Sequence, residues 1–104
     1  MIKGKSKLEF GIGDIRMIPA IRHDNIGALC FVNDEIHEIG EISPNPKGFR
    51  VEKSQVIMTF SKVESIDVLI KQLKHTKRLM LGDFDKKECI AFESMNFDKH
   101  LEEE

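Results

Sequence analysis

The sequence has no tryptophan and no tyrosine, and its seven aromatic residues are all phenylalanine. Phenylalanine fills a core but carries no polar handle, so the aromatic anchors that dominate many protein interfaces are missing. The tyrosine and tryptophan platforms on which single-stranded nucleic acid stacks are missing too. A dominant charge of one sign is also lacking: 16 Lys and Arg stand against 18 Asp and Glu, for a formal net charge of −2. That balance argues against a protein built to coat a polyanion, and nucleic acid is not an expected partner. Long apolar runs are absent as well. The longest uncharged one, from Ile26 to Val32, falls far short of the roughly 18 residues a membrane span needs. Residues 1–7 are basic, but no apolar stretch or small-residue cleavage site of a secretory signal follows them. The expectation is a cytoplasmic protein with no membrane partner.

Cysteine is scarce. Cys30 and Cys89 both sit in apolar, strand-like runs and read as two buried reduced thiols rather than a disulfide. With His23, His37, His75 and His100 they make no zinc spacing, so no metal site is expected. A Cys30–His37 catalytic pair is conceivable across a hairpin, but a thiol in the middle of an apolar strand is a poor nucleophile. Neither a dinucleotide fingerprint nor a phosphate-binding glycine loop occurs; Gly11-x-Gly13 has no third glycine and no following helix. No cofactor is expected, and nothing points to an enzyme.

What remains is a chain of 104 residues, 40% hydrophobic and 33% charged. That is enough for one domain around one core. The domain is expected over residues 1–97, with an acidic tail at 98–104 that frays.

The first two-thirds of the chain reads as strands and turns. Leu8, Phe10 and Ile12 alternate with polar residues and glycine, which predicts a half-buried strand over residues 7–12. The apolar parity switches after Gly13-Asp14 to Ile15, Met17 and Ile21, the mark of a bulge or turn. Pro19 places the segment 15–22 at a sheet edge. His23-Asp24-Asn25 is a turn by composition. The run from Ile26 to Val32 is apolar on both faces and predicts a central strand covered on both sides. Asn33-Asp34 suggests a tight connection into residues 35–42, which read as a strand bulged near Gly40 in preference to a single helical turn. The proline loop 43–48 then leads into a long strand at 49–60, paired with 35–42 and broken at Lys53-Ser54. A last strand is expected at 88–93.

The stretch from Ser61 to Met80 has the clearest pattern. Ser61 and Glu64 have the spacing of a capping box. Val63, Ile66, Leu69, Ile70, Leu73 and Met80 form one apolar stripe at helical spacing. Acids stand early and bases late, complementing the macrodipole, and Gly82 supplies the stop. The fold expected is therefore α+β: a mostly antiparallel sheet of about five strands with one long amphipathic helix packed on a face.

Three Gly-acid tetrapeptides, containing Asp14, Glu41 and Asp83, resemble one another. They read as turn chemistry rather than as a carboxylate cluster for a cation. The basic residues late in the helix are the sharper candidate. Lys71, Lys74, His75 and Arg78 share one helical face, and Lys77, Lys86 and Lys87 lie nearby in sequence. Four cationic groups on one face can converge on a phosphate or an acidic partner, although such a face also serves simply as a solvated one. The function expected is a small non-enzymatic binding or regulatory module that engages a protein partner or itself as a homodimer. The alternative is a binder that sequesters a small anionic ligand such as a nucleotide, a role whose size also suits a phage or mobile-element accessory protein inhibiting a host factor.

Overall fold

A computed structural model of the chain describes residues 1–35, 47–83 and 90. The chain divides into two compact units, Ser6–Ser61 and Met1–Lys5 with Lys62–Glu104. The first carries strands β1 (Ile15–Ile21), β2 (Gly27–Asn33) and β3 (Val56–Phe60), with a short 3-10 turn at Val51–Lys53; the second carries helix α1 (Val63–Met80). The class is α+β.

Among the described residues the sheet has three strands in the order β1-β2-β3, both pairs antiparallel. The doubly apolar run thus occupies the centre. One of its faces buries Cys30 opposite Ile18, and the other buries Phe31 between Met17 and Val56. Alternation along a pleated strand sends neighbours to opposite faces, so a segment with apolar residues at both parities is stable only in the middle.

The register explains how Pro19 is tolerated. The Arg22 N–H donates to the Ile26 carbonyl at one end of the β1–β2 ladder, and the Asp34 N–H donates to the Asp14 carbonyl at the other, both at 2.9 Å. Bonded and non-bonded pairs alternate in an antiparallel ladder. Even-numbered residues of β1 therefore bond to β2, and Pro19, opposite Leu29, falls at a non-bonded position. Its missing N–H costs the β1–β2 ladder nothing, and among the described residues it falls on the outer side of β1.

The β1–β2 hairpin closes through residues 23–25. The Asn25 N–H donates to the Arg22 carbonyl at 2.9 Å, and Asn25 itself is left-handed at φ 66°. A type I turn followed by one left-handed residue is a common three-residue hairpin loop, and asparagine tolerates that conformation better than most residues. The turn is braced by a fork from Arg22 to the Asp24 carboxylate, with Nε at 2.7 Å from Oδ1 and Nη2 at 2.6 Å from Oδ2. Those hydrogen bonds, ahead of simple charge attraction, hold Asp24 below the usual carboxylate range.

Several expectations are corrected. Residues 7–12 do not form a strand. They approach the sheet through Phe10, whose ring meets Phe31 edge-on at 6.1 Å between centroids. An aromatic edge-to-face contact satisfies Phe10 without backbone pairing. The strand expected at 49–60 is only Val56–Phe60, because the chain coils into the 3-10 turn before the break at Lys53-Ser54. That strand pairs with β2, and the expected partner at 35–42 lies, beyond Glu35, outside the described residues. The expected strand at 88–93 lies outside them too, apart from Ile90, as do most of the proline loop, Cys89, His37, His100 and the acidic tail.

At the end of the β2–β3 ladder, Asn33, which lies opposite Ile15 of β1, has no partner in β3. Its N–H donates instead to Oε1 of Gln55 at 3.2 Å, so a side chain terminates the pairing where the 3-10 turn draws the backbone away.

Helix α1 begins one residue later than expected. Lys62, extended at φ −136° and ψ 136°, is the N-cap, and no side chain caps the first turn. Ser61 therefore stands outside the capping position, and the Ser61–Glu64 capping box does not form. Glu64 still lies in the first turn, where a carboxylate complements the dipole. No residue of α1 is buried; Ile66, Leu69 and Leu79 are half-buried and the others exposed. The tight packing expected of its apolar stripe is not matched.

Candidate functional site

The second half of α1 carries the four cationic residues singled out in the sequence. At 3.6 residues per turn, Lys71, Lys74, His75 and Arg78 occupy about 100° of the helix circumference. All four are exposed. They line an open hollow of about 760 Å³ together with Gln72, Lys77 and Leu81. The structure therefore brings together every predicted site residue. Lys77 joins the lining although it projects from a neighbouring face; Lys86 and Lys87 lie outside the described residues.

The helix terminus shapes this face. The Asp83 N–H donates to the Arg78 carbonyl at 3.0 Å and the Gly82 N–H to the Leu79 carbonyl at 3.1 Å. This is the Schellman pattern, with Gly82 left-handed at φ 80° after the C-cap Leu81. The Arg78 Nε also lies 3.9 Å from Asp83 Oδ2. One cation of the four is thus already turned toward a carboxylate of the same chain. The sequence places Asp83 in a Gly-acid tetrapeptide but does not by itself join it to Arg78. The signal available was its place just after the stop glycine, five residues beyond Arg78.

Within the same half of the helix, the Thr76 hydroxyl donates back to the Gln72 carbonyl at 2.9 Å. Thr76 thereby meets its polar need on the helix itself. Among the described residues the one ion pair on this face is Arg78 with Asp83, and flexible lysine side chains supply diffuse positive charge to an anion rather than a rigid, multidentate cage.

A second, smaller cleft of about 270 Å³ lies in the sheet unit, with Lys7, Leu8, Asp14, Phe31 and Gln55 in its wall. Its polar groups are largely engaged locally. Lys7 Nζ lies 2.6 Å from Glu9, and the Gln55 carbonyl accepts from Asn33.

Among the described residues, no group of three or more His, Cys, Asp or Glu can hold a metal ion. Asp14 stands before β1 and Asp83 after α1, while Glu41 lies outside the described residues. Cys30 is fully buried as a free thiol, closed to the approach a nucleophile requires. No helix among the described residues is long and apolar enough to cross a membrane.

No protein-family model matches the sequence, and neither a curated protein nor a solved structure matches it.

Proposed function

We propose that this protein is a small non-enzymatic binding module whose interaction surface is the apolar stripe of α1, and that its partner is a protein. The observation carrying this reading is the exposure of the helix: 18 residues long, amphipathic, and with none of its residues buried. A helix of that length is marginal in water by itself, because propensity barely offsets the cost of nucleation. Burial of the stripe on a partner supplies the missing stabilisation. Lacking tyrosine and tryptophan, the stripe binds through aliphatic side chains, a pattern suited to a helix-in-groove or helix-on-helix contact.

The test is capture on the immobilised chain, comparing wild type with Leu73→Asp by quantitative mass spectrometry. The reading requires that some protein, further copies of the chain included, be retained by wild type and lost with the variant. Retention of an identical set by both would overturn it.

A second reading is supported by the hollow over Lys71, Lys74, His75 and Arg78: capture of a small phosphate-bearing ligand such as a nucleotide. A thermal-shift screen with nucleotides and inorganic phosphate checks it. A shift abolished by Lys74→Glu with Arg78→Glu would support it, and no shift with any anion would remove it.

A further inference from the structure

We infer that a second copy of this chain docks antiparallel along α1. The inference rests on the binding-module reading and names its partner and orientation.

Val63, Ile66, Ile70, Leu73, Lys77 and Met80 follow one another at steps of three, four, three, four and three along the helix. Alternation of three and four is the spacing at which two helices interlock side chains along a shared seam. Five of these six residues are apolar. Four of them are exposed: Val63 at 70%, Ile70 at 44%, Leu73 at 60% and Met80 at 83%. The seam runs the length of the helix, about 27 Å at 1.5 Å per residue. An isologous pairing uses the same stripe twice, so one surface serves both copies.

Charge sets the direction. Glu64 and Asp67 lie in the first half of α1, and Lys74, Lys77 and Arg78 in the second. A parallel pair would set the three cations against their own images and align two macrodipoles side by side. An antiparallel pair sets each acidic half against a basic half and opposes the dipoles.

With the two-fold axis between Lys71 and Gln72, Ile70 meets the partner's Leu73, and Val63 meets the partner's Met80. Ile66 meets the aliphatic stem of the partner's Lys77, whose ammonium reaches past the seam into water. Asp67 flanks the seam beside the partner's Lys74, and symmetry makes that pair twice. The single lysine in the seam also selects the register, since a slip by one heptad would leave it facing a different apolar layer. Of the basic face, only Lys74 borders the seam; Lys71, His75 and Arg78 stay on the outside of the pair.

The experiment is sedimentation equilibrium of the full chain from low micromolar to millimolar concentration, with helix content followed by circular dichroism. Wild type is expected to dimerise reversibly. Asp67→Lys and Lys74→Asp should each weaken the dimer about tenfold, because both symmetric pairs turn repulsive. The double variant should return to within about threefold of wild type, and an equimolar mixture of the two single variants should form a heterodimer tighter than either homodimer. A wild type that stays monomeric at millimolar concentration would overturn the proposal. So would a dimer indifferent to both single substitutions, or a double variant as weak as the single ones. A monomeric chain that still captures another protein through Leu73 would sink self-docking and leave the module reading standing. A monomer with no such capture would remove both.

Discussion

Arg78 and Asp83 meet twice across the end of α1: through the backbone, where the Asp83 N–H donates to the Arg78 carbonyl at 3.0 Å, and through their side chains at 3.9 Å. The Schellman turn commonly adds an apolar contact between these two positions; here an ion pair takes its place. Both side chains are largely exposed, so the pair adds little to stability. Its consequence lies in the charge left available on the basic face.

Asp83→Asn should release Arg78 from its carboxylate and raise the positive charge of the face. If the hollow takes phosphate-bearing ligands, titration calorimetry should register tighter binding by roughly two- to fivefold at low salt, and the gain should fade as salt screens the face. Helix content should be unchanged. Unaltered affinity would mean that Arg78 takes no part in anion capture.

Gly82→Ala tests the turn itself. A Cβ at Gly82 meets nothing within 4 Å, so crowding does not enter, and the cost is that of holding a side-chain-bearing residue at φ 80°. The expected loss is about 1 kcal/mol in a denaturant melt followed by helix signal.

The start of α1 makes the opposite prediction from the one its sequence suggests. Ser61→Ala should change helix stability by less than about 0.5 kcal/mol, because Ser61 is not the cap. Lys62→Asp should stabilise by about 0.5–1 kcal/mol, supplying the side-chain acceptor the first turn lacks. Thermal melts of the two variants check this. A larger loss in Ser61→Ala than gain in Lys62→Asp would move the cap back to Ser61.

The Arg22–Asp24 fork gives the hairpin a pH dependence. Asp24 is held below its ordinary value, chiefly by the hydrogen bonds from Arg22. Its contribution is thus fully present above the unfolded aspartate value of about 4 and is lost as pH falls through the lower folded value. Wild type and Asp24→Asn should differ in melting temperature at neutral pH and converge on acidification below that range. A difference that persists at the acid end would exclude ionisation of Asp24 as its source.

Ser54 ends the break before β3 with its hydroxyl oxygen buried and, among the described residues, without a hydrogen-bond partner. Removing an unpaired buried hydroxyl relieves a desolvation cost, so Ser54→Ala should stabilise by up to about 1 kcal/mol in a chemical-denaturation curve. Destabilisation would reveal a partner for that oxygen.

The sequence by itself determined the features that depend on near neighbours. Alternation and Pro19 placed β1 outermost and apolar residues at both parities placed β2 between its neighbours, as they stand among the described residues, and three polar residues marked the turn between them. The periodicity of residues 63–80 and the glycine at 82 defined α1, and the same spacing grouped Lys71, Lys74, His75 and Arg78, because a helix turns residues three and four apart onto one face.

Only the tertiary structure decided what depends on distant partners. Phe10 reads as a strand residue by alternation, yet its place is fixed by the ring of Phe31, 21 positions away. Val51 fits a strand by parity, yet it enters a 3-10 turn, and the ladder ends where Gln55 serves Asn33. Ser61 has the right chemistry for a cap but stands one residue outside the turn it would cap. In each case local propensity offers several states within about 1 kcal/mol of one another, and a contact made across the fold selects among them.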